Sequence, residues 1–193
     1  MKRMLLIAMG VMCVLQAGDS GPEYTKDGQL VMPNDYREWV YLSSGLGMTY
    51  GPVTETLPTR APSFDNVFVT RAAYRRFMDT GTWPDKTMFV LEVRASGSKG
   101  SINNGGHYQN EVQAIEVEVK DEGRFPGKWA FFGFGKGAPS AKQIPVSGAC
   151  YTCHPSKGAV DNTFVQFYPT LLEVAKKKGT LTPAYLEAEH QSH

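Results

Sequence analysis

Near the end of the chain, the stretch CYTCHP places Cys150 and Cys153 three positions apart, with His154 directly after the second cysteine. A Cys-x-x-Cys pair can form a redox disulfide, supply half of a zinc site or attach a c-type haem. Each of these uses requires a different fold around the motif. The rest of the sequence therefore has to distinguish them.

The N-terminus has the pattern of a secretory signal peptide. Lys2 and Arg3 precede an uncharged run from Met4 to Leu15, and polar sequence follows at once. The run is too short to span a bilayer comfortably. We expect residues 1–17 to be removed, leaving a periplasmic or otherwise exported protein that is soluble and has no membrane span.

The predicted cleavage removes Cys13, and of the three cysteines in the chain only Cys150 and Cys153 then remain. A zinc site would need two further ligands at unusual spacing, and a thioredoxin-like motif is expected early in a βαβ unit. In an exported protein the pattern favours one covalently attached haem c. Cys150 and Cys153 would form the thioethers, and His154 would be the proximal ligand of the iron.

Length and charge fit one globular domain. The chain has 193 residues and a net charge of +1. Loss of Lys2 and Arg3 takes this charge to about −1, so nothing indicates nucleic acid as a partner. We expect an N-terminal extension over 18–32, a haem domain over 33–178 and a C-terminal tail over 179–193.

The residues before the haem motif alternate like strands. An α+β fold is therefore predicted, an antiparallel β-sheet with flanking α-helices, in which the haem motif leads into the final helix. Pro169 should kink that helix or mark its start. Aromatic residues on both faces of KWAFFGF predict burial on both sides. The strand patterns are FDNVFVT, TMFVLEVR, EVQAIEVEVK and KWAFFGF, and the helical patterns are DYREWVYLSS, RAAYRRFMDTG and DNTFVQFYPTLLEVAKKKG.

Eight segments follow one another in an order typical of one known family, namely DYREWVYLSS, NVFV, AYRRF, TGTWPD, FVLEVR, VKDEGRFPGKWAFF, CYTCH and FVQFYPTLLEVAK. Together they resemble the cytochrome P-460 family, and the similarity runs from Asp35 to Lys178. This resemblance implies an antiparallel sheet with flanking helices, commonly in a homodimer. The family includes hydroxylamine-oxidising enzymes with a lysine cross-linked to the porphyrin. It also includes the β-type cytochromes c-prime, which lack the cross-link and bind nitric oxide or carbon monoxide.

The position of the cross-linking lysine separates these two groups. In cross-linked members the lysine lies in a strand of the form Asp-x-Thr-x-x-Val-Lys-Glu, and DKTMFVLE has Leu91 in its place. The resemblance therefore implies that the cross-link is absent and that Leu91 packs at the haem edge or distal side. Lys86 and Lys99 stand at other registers and are expected to be solvated.

The resemblance also places Glu116 where cross-linked members carry a distal glutamate. Glu116 could act there as a proton relay, or it could be an ordinary surface carboxylate. A period of two separates the strand into two sets, Ile115, Val117 and Val119 on one face and Val112, Ala114, Glu116 and Glu118 on the other.

No residue has a context that marks it as a sixth ligand of the iron, so an open distal site is predicted. The leading hypothesis is a haem protein that binds or redox-processes nitric oxide, carbon monoxide or hydroxylamine. The alternatives are a six-coordinate electron carrier and a lysine-independent redox enzyme acting through Glu116. A redox partner, a cytochrome of unknown identity, is expected. The candidate sixth ligands are His107, His190, His193, Met32, Met48, Met78 and Met88.

Overall fold

A computed structural model describes residues 21–50 and 61–191, which contain seven strands and four α-helices. Single 3₁₀ turns occur at Tyr36–Glu38 and Val165–Phe167. The strands are β1 (Leu30–Val31), β2 (Val40–Leu46), β3 (Ser63–Val69), β4 (Met88–Gly97), β5 (Tyr108–Lys120), β6 (Trp129–Phe134) and β7 (Ser140–Ala141). The helices are α1 (Arg71–Thr80), α2 (Cys150–Lys157), α3 (Pro169–Lys178) and α4 (Pro183–Gln191).

The main sheet is a five-stranded antiparallel meander. Its order is β2-β3-β4-β5-β6, so every strand pairs with its neighbours along the chain. Strands β1 and β7 form a separate two-stranded sheet. The predicted α+β class, an antiparallel sheet with flanking helices, is confirmed.

The two faces of the sheet have different partners. The N-terminal segment covers the first face, where Leu30, Tyr36 and Trp39 pack against Val90 and Val117. Helices α1 and α3 cover part of the second face, on which Phe89 and Trp129 are buried. Trp129, Phe131, Phe132 and Phe134 are all at most 7 % exposed, so the prediction of burial on both sides of β6 is confirmed.

Two helices begin and end where the sequence indicated. Helix α1 follows Thr70 and ends at Gly81, which has a φ of 74°. Helix α3 starts at Pro169, so the proline marks the start of the helix and does not kink it. The residues expected to form a tail, 179–193, include helix α4.

The helix predicted over DYREWVYLSS is wrong. Only Tyr36–Glu38 make a 3₁₀ turn, and the chain continues as strand β2, which pairs with β3. The spacing of Tyr36 and Trp39 looks helical, but aromatic and β-branched residues fit a half-buried strand equally well. Pairing with β3 decides between the two structures.

The predicted division of β5 into two faces is confirmed from Ala114 onward and is wrong for Val112. Val93 pairs with Ala114, whereas Arg94 pairs with Val112, so the register shifts by one residue. Such a bulge moves the side chain to the opposite face. Val112 therefore does not share the face of Ala114 and Glu116.

Within the described ranges, no helix combines the length and apolar character needed to cross a membrane. The predicted signal peptide, residues 1–17, lies outside those ranges.

Candidate functional site

A cavity of about 470 Å³ lies against the second face of the main sheet. This volume is in the range of small-molecule and cofactor sites. Its apolar lining residues include Val67, Phe89, Leu91, Phe131, Ile144, Phe164, Phe167 and Tyr168. Its other lining residues include Met48, Tyr50, Asp65, Glu116, Glu118, Cys150, Cys153 and His154.

The two cysteines of the motif both reach this cavity from α2. Residues three apart in a helix lie on the same side, so Cys150 and Cys153 present their thiols in one direction. Both are free and half-buried. Burial and the charge of Glu116 raise the pKa of the Cys150 thiol above its usual value.

His154 contacts two aromatic rings, and one of its ring nitrogens already has a hydrogen-bond partner. Its ring centroid lies 4.4 Å from that of Phe131 and 4.4 Å from that of Phe164. Its Nδ1 is 2.8 Å from the carbonyl oxygen of Asn162. Because a carbonyl can only accept, Nδ1 carries the hydrogen and the lone pair of Nε2 is available to a metal.

Glu118 lies beside the same imidazole. Its Oε1 is 3.3 Å from Nδ1 of His154, and its side chain is only 13 % exposed. Burial raises the pKa of Glu118, although His154 opposes this effect. Burial lowers the pKa of His154, but the carboxylate of Glu118 and the carbonyl of Asn162 raise it more, so the net shift is upward.

Leu91 and Glu116 are direct partners across β4 and β5, and both line the cavity. The sequence-predicted residues Leu91, Glu116, Cys150, Cys153 and His154 are thus all brought to one cavity. A second carboxylate, Asp65, lies on the same wall and is 8 % exposed. Burial and the charge of Glu116 raise the pKa of Asp65.

Sequence reasoning missed the roles of Asn162, Asp65 and Glu118. The period of two placed Glu118 on the face of Glu116, but nothing in the sequence indicated that this face meets His154. Asp65 sits in a strand pattern where alternation alone does not identify the second face as a cavity wall.

Only one of the proposed sixth ligands in the described ranges lines the cavity, namely Met48. Met88 belongs to the core of the first face, and Met32 packs against it. Met78 packs near α1 and α3. His107 and His190 are exposed, and His193 lies outside the described ranges.

No lysine among the described residues lines the cavity. Lys86 forms an ion pair with Asp121, and Lys99 is exposed. The expectation that both are surface residues is confirmed.

The donor set fits a covalently bound haem. Two free thiols and an imidazole with an available Nε2 lie on one side of a cavity whose remaining lining is largely apolar and aromatic. Such a lining suits a flat apolar macrocycle. Across the part of the chain that is described, no three His, Cys, Asp or Glu side chains are grouped to hold a bare metal ion.

Comparison with curated proteins returned no match. A family model described as Cytochrome P460 matches residues 33–165, which is more than half of the chain and includes the cavity residues from Met48 to Phe164. The matched range contains Leu91, Glu116 and the whole CYTCH motif. The chain therefore belongs to the cytochrome P460 family and is a haem-binding cytochrome.

Proposed function

We propose that this protein is an exported mono-haem c-type cytochrome with an open distal site. Cys150 and Cys153 form the thioethers, and Nε2 of His154 binds the iron. The site binds or redox-processes nitric oxide, carbon monoxide or hydroxylamine, without a lysine cross-link. The observation that carries this proposal is one cavity holding two free thiols, a pre-oriented imidazole and an apolar wall at Leu91.

The bound haem would supply an iron with a free coordination position at which a diatomic gas or a small nitrogen compound binds. The protein chain orients the imidazole that binds the iron, and its apolar side chains exclude water from the cavity. Phe131 and Phe164 both pack against the imidazole of His154 and restrain its orientation. Phe89 and Leu91 supply an apolar wall that favours small neutral ligands over charged ones.

Glu116 gives this wall a proton acceptor. It lies on the cavity wall opposite Leu91 in the strand pairing, and Asp65 stands close enough for their charges to interact. Oxidation of hydroxylamine releases protons, which a positioned carboxylate can accept. Glu116 is therefore proposed as the distal proton relay.

The absence of a cross-link is supported by the residue at position 91. Leu91 has no amine, and Lys86 and Lys99 do not line the cavity. The porphyrin is accordingly proposed to be held by the two thioethers and the axial bond alone.

Absorption spectra of the ferric and ferrous protein, with and without carbon monoxide, test the open site. We expect a high-spin ferrous spectrum that changes on addition of carbon monoxide. A low-spin ferrous spectrum before any addition would overturn the open-site proposal.

The second candidate function is a six-coordinate electron carrier. Met48 favours it, because this thioether lines the cavity and methionine is a common axial ligand in electron-transfer cytochromes. In that case the ferrous protein would be low-spin and would bind carbon monoxide only by displacing Met48.

Export, dimerisation and a redox partner are also proposed. The first 17 residues support export through their basic start and uncharged run. Membership of the family supports a homodimer, which light scattering on the purified protein would test. Electrons would pass to or from a separate cytochrome whose identity is unknown.

A further inference from the structure

Three alternate residues of β5 face the same side of the sheet, namely Glu116, Glu118 and Lys120. Side chains two residues apart on a strand are spaced by about 6.8 Å. Glu116 pairs with Leu91 on the cavity wall, whereas Glu118 reaches the imidazole of His154. Lys120 lies beyond both and makes buried polar contacts. The strand thus places both carboxylates on the cavity wall, and the second of them also lies beside His154.

The Glu118 oxygen that faces His154 has no hydrogen-bond partner among the described residues. This oxygen, Oε1, is buried. The contact with Nδ1 at 3.3 Å is electrostatic, because the Nδ1 hydrogen points to Asn162. A buried carboxylate oxygen without a hydrogen bond is costly, so this position of Oε1 is unfavourable unless the imidazole compensates it.

The position of Glu118 is fixed by the sheet. It pairs with Phe89 on β4 and with Phe131 on β6, so the strand is held on both sides. Phe131 also contacts the His154 ring. The carboxylate therefore meets the imidazole as part of a rigid arrangement.

Lys120 stabilises the turn at Asp161 and Asn162. The carbonyl of Asn162 in this turn is the other partner of His154. Nζ of Lys120 donates to Oδ2 of Asp161 at 2.6 Å and to the carbonyl of Trp83 at 2.9 Å. Oδ1 of Asp161 accepts a hydrogen bond from Nε1 of Trp129 at 3.2 Å. Asp161 and Asn162 have φ values of 43° and 65°, which non-glycine residues keep only when surrounding contacts hold them. This network fixes the Asn162 carbonyl that Nδ1 of His154 contacts.

We propose that Glu118 is a positioning residue for the iron ligand, with its carboxylate placed against Nδ1 of His154, the ring nitrogen that does not bind the iron. The inference rests on the proposed function, in which Nε2 binds iron. A negative charge at this place stabilises positive charge on the imidazole and makes the ring a stronger electron donor through Nε2. It also favours the ferric state and so lowers the reduction potential.

The variant Glu118→Gln tests this role, because it removes the charge while keeping the size of the side chain. We expect resonance Raman spectra of the ferrous protein to show a lower iron–histidine stretching frequency, and the midpoint potential to rise. Glu116→Gln is the matched control on the same strand and face. The charge of Glu116 acts on His154 less strongly than that of Glu118, so the potential can rise while the iron–histidine frequency shifts by much less than in Glu118→Gln.

A third variant separates charge from shape. Glu118→Asp keeps a carboxylate but draws it back from Nδ1, so its iron–histidine frequency should lie between those of wild type and Glu118→Gln. An unchanged frequency in Glu118→Gln, or equal shifts in Glu118→Gln and Glu116→Gln, would overturn the role of Glu118.

Failure of the proposed function would look different. If His154 were not the iron ligand, His154→Ala would leave the iron–histidine band in place in an otherwise wild-type protein. That result would remove the basis of the proposed function and of this inference together. If the band disappears in His154→Ala but does not move in Glu118→Gln, only the role of Glu118 is contradicted.

Discussion

Leu91 and Glu116 lie directly opposite each other on β4 and β5, and both side chains line the cavity. Directly paired residues point to the same face of a sheet, so position 91 and the carboxylate are near neighbours. An apolar side chain beside a proton acceptor gives the wall two separate properties. In the proposed function, Leu91 offers no amine for a bond to the porphyrin, and Glu116 accepts a proton from the bound ligand.

Replacing Glu116 tests its proposed part in proton transfer. With hydroxylamine as the substrate, we expect Glu116→Gln to lower the rate of oxidation by about 10²-fold or more, since general-base catalysis contributes on that scale. Haem content should not change. Glu111→Gln is the control, because Glu111 and Glu116 are both exposed carboxylates of the same strand but only Glu116 lines the cavity. Equal rates in wild type and Glu116→Gln would contradict the proton relay and would show that Glu116 is an ordinary surface carboxylate.

The two cysteines should carry the colour of the protein. After acid–acetone extraction of wild type, we expect the haem to stay with the polypeptide, because thioethers survive this treatment. In the double variant Cys150→Ala, Cys153→Ala the colour should pass to the organic phase. Thr152→Ala, at an exposed position between the cysteines, should behave like wild type. Colour in the organic phase from wild type would exclude covalent attachment.

Met48 distinguishes the open site from a six-coordinate one. We expect the ferrous spectrum of Met48→Leu to match the high-spin spectrum of wild type, because no Met48–iron bond is lost. Met78→Leu, away from the cavity, serves as control. A low-spin wild type that becomes high-spin only in Met48→Leu would establish the electron carrier instead.

Glu92 should make the fold sensitive to acid. Its side chain is 1 % exposed and accepts hydrogen bonds from Tyr36, Arg37 and Arg94. Burial alone would raise the pKa of Glu92, but the hydrogen bonds from Arg94 and Tyr36 and the charge of Arg37 lower it below its usual value. The stabilisation from ionised Glu92 is therefore fully present above the unfolded-state pKa of about 4.3 and is lost as the pH falls through the lower folded-state pKa.

Denaturant unfolding of Glu92→Gln tests this assignment. At neutral pH we expect the free energy of unfolding to fall by about 2–4 kcal/mol, because the arginines lose a buried ionised partner. Glu38→Gln, at an exposed position on the same segment as Tyr36, should change it by less than about 0.5 kcal/mol. If wild type and Glu92→Gln lose stability in parallel below pH 4.3, the pKa of Glu92 is not depressed in the folded protein.

The sequence predicted strands β3 to β6 and the haem motif because both depend on local patterns. Alternation from Ala114 to Val119 identifies two faces, and the spacing of Cys150, Cys153 and His154 is a short-range signal. The contact between Glu118 and His154 could not be predicted, because it forms only when β5 and α2 come together. The strand β2 was missed for a similar reason, since its pairing with β3 decides a pattern that also fits a helix.

The intact mass of the purified protein, produced with the cytochrome c maturation machinery, tests the central claim most directly. We predict the mass of the mature polypeptide plus one unmodified haem, because Cys150 and Cys153 add across the vinyl groups without loss of atoms and Leu91 cannot form a further bond. The mass of the polypeptide alone would contradict covalent attachment. A mass below the predicted value by the hydrogens lost in an additional porphyrin bond would contradict the absence of a cross-link.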